Sequence, residues 1–194
     1  MMEDKILEKI KHLSVPILQS ITEEEKKHFK HFNERYYEDK YCVEYNDAVS
    51  NRDVLIRLHT NKLVLICLAR GHDIIRHNKV IEKINFNIEG SNLLDINLSG
   101  RKKAGARKLK KNHCVCYIKC KGEDTEYPVY TCVQGSLIEV NKNVIKNPQL
   151  LVTDSKGLGY IGVLSLKSYS KGLLPDLNYL LSEDEYEKYV KERK

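Results

Sequence analysis

No apolar run in this sequence is long enough to cross a membrane. The longest, residues 63–69, falls far short of the ~20 residues that a helical span requires. Residues 1–12 alternate charges with isolated Ile and Leu and hold no hydrophobic signal core, so neither a secretory leader nor an anchor is expected. Six cysteines in a chain without such a leader read as reduced thiols, and Asn97-Leu98-Ser99 as an idle glycosylation sequon. The expected compartment is cytosol or nucleus. HExxH, GxSxG and Walker strings are all missing, and the seven histidines form no base-plus-nucleophile arrangement, so the expectation is a protein that is not an enzyme. Internal repeats and low-complexity tracts are lacking too. What remains is 194 residues with 41% hydrophobic and 31% charged content, which suits one soluble, folded domain and excludes a disordered or collagen-like chain.

The charge is unevenly placed. Arg101, Lys102, Lys103, Arg107, Lys108, Lys110 and Lys111 put seven positive charges into eleven residues with no acid among them, against a formal net charge of +6 for the whole chain. One segment therefore accounts for the entire basic balance. Gly100 and Gly105 beside it favour a mobile loop over a regular helix. Such a loop attracts polyanions without selecting among them, so an acidic protein surface, nucleic acid and a nuclear import receptor are all candidate partners beside a plain solubilising role.

Periodicity divides the rest. Ile6, Leu7, Ile10 and Leu13 recur at helical spacing up to Pro16, and a second helix starts at Thr22 with Glu25 three residues on, a capping-box pattern. Phe29, Phe32 and Tyr36 form its apolar stripe, read as a docking face. From about Tyr41 the period becomes that of strands. Residues 54–58 and 63–68 flank a Thr60-Asn61-Lys62 turn, and Val80, Ile84, Phe86 and Ile88 alternate with polar residues, interrupted by Ile81 and Glu82. Four further candidate strands cover residues 114–120, 127–133, 136–141 and 160–166. A last helix opens at Ser182 with Glu185 three residues later and carries Tyr186, Tyr189 and Val190.

Three short motifs invite chemistry and are read conservatively. Gly157-Leu158-Gly159-Tyr160-Ile161-Gly162 fits the GxGxxG string but runs straight into an apolar strand, so it reads as a glycine-rich turn rather than a dinucleotide site. His113, Cys114, Cys116 and Cys120 suggest zinc, yet Ile118 shares their strand face and no half-site completes a tetrahedral set; no metal is expected. Glu25 and His28 have ExxH spacing without the second motif that a di-iron bundle needs.

From Tyr127 onward the string Tyr130-Thr131-Cys132-Val133-Gln134-Gly135, then Leu137-Ile138-Glu139-Val140-Asn141, then Gly157-Leu158-Gly159-Tyr160-Ile161, resembles the second half of glycine-cleavage H-proteins. That resemblance implies a mainly β barrel-sandwich hybrid of the H-protein or lipoyl-domain type, with a lipoyl-lysine at a hairpin tip. Counting back eleven residues from Gly135 lands on Asp124 where the family has its lysine, and Lys121 nearby lacks the family's context. No cofactor is therefore expected.

A wider resemblance, over roughly residues 35–191, is to the actin-binding transcription modulators of the Simiate or Abitram family. It rests on Arg35-Tyr36-Tyr37 with Tyr41, on Ser99-Gly100-Arg101-Lys102-Lys103-Ala104-Gly105-Ala106, on the continuous block from Cys132 to Asn143, and on Gly159-Tyr160-Ile161. It implies a non-enzymatic adaptor of nucleus and cytoplasm that binds actin and influences filament assembly and transcription. The alternatives are a lipoyl-type carrier and a nucleic-acid-binding module using the basic segment. The expected organisation is an N-terminal helical extension over 1–40, an H-protein-like β domain over 41–181, its core ending near 166, and a C-terminal helix over 182–194 packed on it. The basic residues Arg101 to Lys111 are the expected partner contact, and no membrane association is expected.

Overall fold

The computed structural model describes residues 21–28, 35–43, 51–96, 105–166 and 176–193. The chain divides into two units, Met1–Tyr36 and Tyr37–Lys194. In the first, helix α1 (Glu23–His28) opens as its sequence predicts: the Glu25 N–H donates to Thr22 Oγ1 at 3.2 Å, and the Thr22 N–H to Glu25 Oε2 at 2.8 Å. The helix expected before Pro16, and Phe29 and Phe32 of the aromatic stripe, lie outside the described residues.

The second unit is mainly β. Strands β1 (Tyr37–Cys42), β2 (Val54–His59) and β3 (Leu63–Leu68) form an antiparallel meander. The β2–β3 hairpin turns where the sequence places it, with Lys62 at φ 71°. Helix α2 (Asp73–Arg76) follows, then β4 (Ile81–Asn85), the small hairpin β5 (Asn87–Ile88) and β6 (Ser91–Asn92), and a 3-10 turn (Leu93–Asp95). Beyond the basic segment come β7 (Arg107–Leu109), β8 (Cys114–Cys120), β9 (Glu126–Tyr130) and β10 (Gly135–Val140). Short helices α3 (Asn143–Lys146) and α4 (Leu150–Thr153) lead to β11 (Gly162–Ser165), and α5 (Glu183–Glu192) ends the described chain.

Among the described residues all strand pairs are antiparallel and fall into a six-stranded sheet, β1-β2-β3-β11-β10-β7, a three-stranded sheet, β4-β8-β9, and the β5-β6 hairpin. The sheets are not closed into a barrel; they enclose one core, in which Ile56, Ile66, Leu137 and Leu164 of the larger sheet meet Ile84, Val115, Ile118 and Val129 of the smaller one. The sequence break at Ile81 and Glu82 is a β-bulge against β8, with register shifting between Ile81 and Lys83. The extra residue re-phases the strand, so Ile81 and Ile84 both enter the core while Val80 stays 59% exposed.

The glycine string has a packing explanation. It lies between α4 and β11, the reverse of the strand-to-helix order that a dinucleotide site requires. A Cβ on Gly159 would overlap the Leu150 carbonyl, so only glycine lets this turn close onto α4.

Helix α5 closes over the outer face of the meander. The expected capping box is present, with the Ser182 N–H donating to Glu185 Oε2 at 2.7 Å. Its buried residue Tyr186 stacks on Tyr41 at 3.9 Å between ring centroids and 7° between planes. Beside them Asp53, 1% exposed, accepts from the Tyr186 hydroxyl at 2.6 Å and from both terminal nitrogens of Arg193 at 2.8 and 2.9 Å. Tyr41 exchanges two main-chain hydrogen bonds with Leu181, which covers the free edge of β1.

Candidate functional site

Of the seven basic residues that the sequence singles out, Arg101, Lys102 and Lys103 lie outside the described residues. The other four do not form the mobile loop expected for them. Arg107 and Lys108 belong to β7, an edge strand of the six-stranded sheet that pairs Leu109 with Gly135, Lys108 with Ser136 and Arg107 with Leu137. The reason is Leu109: one apolar side chain buried in the core anchors three residues whose remaining side chains are basic. Lys110 and Lys111 then occupy a tight turn into β8.

The turn is tied from several sides. The Lys110 N–H donates to His113 Nδ1 at 2.7 Å, and the Lys110 carbonyl accepts from the Thr131 hydroxyl at 2.6 Å. Lys111 Nζ lies 4.9 Å from the centre of the Tyr179 ring, a cation–π distance. Arg107 donates from Nη1 to Ser91 Oγ. Lys108 and Lys110 are exposed. From Arg107 to Lys111 the main chain is thus a held edge and turn rather than a tether.

Beside this edge lies a cavity of about 390 Å³. Arg107, Lys110, Asn112 and His113 line it from the β7–β8 turn, and Ile88, Glu89 and Leu93 from the β5 to 3-10 segment. Leu109, Cys114, Tyr117 and Tyr130 complete the lining. Sequence reasoning missed this site. Its residues come from separate stretches of the chain with no common spacing, so only the fold assembles them.

The cysteines offered as metal ligands sit differently. Cys116 and Cys120 are buried in the core with Ile118, whereas Cys114, displaced by a bulge between Cys114 and Cys116, is half-buried at the cavity. Burial pushes the Cys114 and Cys120 thiols up to about 11 and Cys116 well above its ordinary value, so all three are protonated near neutrality. Among the described residues no group of three or more His, Cys, Asp or Glu side chains is placed to hold a metal.

Asp124, the position matched to the H-protein lysine, is exposed in the connection between β8 and β9, so the hairpin tip exists with a carboxylate on it. The base of that hairpin is pinned by a charge cluster. Lys79 Nζ reaches Asp73 Oδ2 at 2.6 Å, Glu123 Oε1 at 2.8 Å and the Tyr127 hydroxyl at 2.6 Å, and Tyr127 in turn donates to Glu123 at 2.7 Å. The Lys79 ammonium holds the Glu123 carboxyl below its ordinary range, and burial pushes the Tyr127 hydroxyl up to about 12. Every member has a partner within the cluster, as suits a structural clamp.

Comparison with known proteins places this architecture. The profile of the family described as glycine cleavage H-protein matches residues 91–193. The proteins named Protein Abitram from Xenopus tropicalis and Dictyostelium discoideum are each 33% identical, over 142 and 133 residues, covering 73% and 68% of this chain and 76% and 73% of their own. Protein Abitram of Drosophila melanogaster is 28% identical over 181 residues, 93% of this chain and 78% of its own. Among solved structures, a glycine cleavage system H protein from Mycobacterium marinum superposes with a TM-score of 0.51 at 11% identity, covering 79% of this chain and 97% of that one. At that identity the likeness concerns the fold.

Proposed function

This chain belongs to the Abitram family, built on a glycine cleavage H-protein domain, and on that premise we propose that it is a non-enzymatic adaptor of nucleus and cytoplasm that binds actin and so influences filament assembly and transcription. Actin enters from the family resemblance. The observation that carries the contact surface is the basic edge of β7 and its turn, where Lys108 and Lys110 are exposed on a hydrogen-bonded main chain. A concentrated array of positive charge raises encounter rates with an acidic surface, an advantage that shrinks as salt shortens the ~10 Å Debye length of 0.1 M solution. An import receptor is a second acidic partner for the same array. The Asp124 carboxylate cannot take a lipoyl amide, so the adaptor carries no lipoyl group. Intact mass of the native protein checks this, and a lipoyl-sized increment on Lys121 would restore the carrier reading.

Exposed lysines contribute little one at a time, so the test replaces Arg101, Lys102, Lys103, Lys108 and Lys110 together with Gln and keeps Arg107, whose bond to Ser91 is structural. Co-sedimentation with actin should fall and become insensitive to salt while the melting temperature stays at the parent's. Failure of the parent to bind monomeric or filamentous actin at low salt would sink the reading, and tight, salt-dependent nucleic-acid binding in its place would reassign the edge.

A further inference from the structure

The cavity beside the basic edge has a chemistry of its own. At about 390 Å³ it lies at the small end of the range that small-molecule sites occupy. Ile88, Leu93 and Leu109 back it but are almost wholly covered, the half-buried Cys114, Tyr117 and Tyr130 form its wall, and the exposed Lys110, Asn112 and His113 stand at its rim. A main-chain N–H can only donate, so the 2.7 Å bond from the Lys110 N–H makes His113 Nδ1 the acceptor and leaves the ring proton on Nε2. His113 is therefore a donor at this rim while neutral. The bond from Arg107 Nη1 to Ser91 Oγ sets the plane of the guanidinium at the cavity wall before any ligand arrives. Arg107 and Lys110 outweigh the one lining acid, Glu89, by a single positive charge. That surplus matches a monoanion, and Glu89 disfavours a second negative group.

We propose that this cavity binds a small organic monocarboxylate, its carboxylate held by Arg107, Lys110 and His113 and its short apolar body lying against the rings of Tyr117 and Tyr130 and the edge of Ile88. The site shares Lys110 with the proposed actin contact but not Lys108, which is on the basic edge and does not line the cavity, so the two can be tested apart. Charge-assisted hydrogen bonds to a carboxylate are about twice as strong as neutral ones, so an amide of the same shape forfeits most of the polar recognition.

Calorimetric and NMR titration of the whole chain with hexanoate, hexanamide and hexyl phosphate tests the proposal. Hexanoate should bind saturably, with hexanamide and the dianionic ester each weaker by roughly tenfold or more. Lys110→Glu and Lys110→Gln should each weaken hexanoate by a similar factor without moving the melting temperature. Lys108→Glu, with the same change in net charge but outside the cavity, should bind hexanoate as the parent does. No saturable binding into the millimolar range, equal binding of hexanamide, or parent-like affinity in both Lys110 variants would each overturn the proposal. Equal losses from Lys108→Glu and Lys110→Glu would do the same, because they would reduce the effect to bulk charge.

Discussion

The clasp formed by α5 and the edge formed by β7 both collect polar side chains against a sheet, yet they treat them in opposite ways. At the clasp, Asp53, Tyr186, Arg193 and the Gly71 main chain bond to one another, with only the buried Arg193 Nε left unpaired among these side chains: the Tyr186 hydroxyl accepts from the Gly71 N–H at 2.9 Å, and Arg193 also donates to the Gly71 carbonyl at 2.9 Å. Gly71 itself has no room for a Cβ, which would meet Tyr186 and Asp53. At the β7 edge, Lys108 and Lys110 stay in water, with one of them beside a cavity. Polar groups that close on each other stabilise the fold; polar groups that face outward are available for recognition.

The comparison breaks most sharply at Asp53. Replacing it with Ala leaves the Arg193 charge and the Tyr186 hydroxyl without their partner, and the expected cost is about 3–5 kcal/mol in chemical denaturation. The same removal of one charge at the edge, Lys108→Gln, should change stability by less than about 0.5 kcal/mol.

A second test uses pH. His72, fully buried next to Gly71, caps α2 by accepting the Ile74 N–H on Nδ1 at 3.2 Å, and burial lowers its pKa from 6.5 to about 4. Asp53 and Asp73 partly oppose that shift, and Arg52 and Lys79 add to it. The unfolded chain takes up the proton first as pH falls. The neutral ring therefore contributes its full stabilisation above pH 6.5, and the contribution is lost as pH falls toward 4, an effect of about 3 kcal/mol. His72→Asn keeps a capping side chain without the titration, so its melting temperature should fall less steeply than the parent's between these limits. Parallel slopes would show that other groups carry the acid sensitivity.

At the small end lies Ser182→Ala, which removes the hydroxyl of the α5 capping box. The expected loss is about 1 kcal/mol, read by the same denaturation. A loss as large as that of Asp53→Ala would mean that the helix start, rather than the buried acid, holds the clasp.

Local features were legible in the sequence, and features assembled across the chain were not. The β2–β3 hairpin, both capping boxes and the character of the glycine turn follow from neighbours a few residues apart. The alternation of β4 is also visible, but its bulge depends on how β8 pairs with it. Short helices α2, α3 and α4 carry four residues each, too few for a helical period to register. The link from Asp53 to Arg193 spans 140 residues, and an acid beside Val54 reads as an ordinary strand flank until the fold supplies its partner. The basic segment was legible as charge and misleading as form: Leu109, one apolar residue, turns part of it into a strand.

Strand β11 carries a consequence for synthesis. Although it follows the ten other named strands in sequence, it lies inside the six-stranded sheet between β3 and β10. A ribosome must therefore deliver residues 162–165 before those two strands can join, and until then both present unpaired edges of apolar sequence. Nascent or truncated chains that stop short of Gly162 are the species on which a chaperone that binds exposed strands would act.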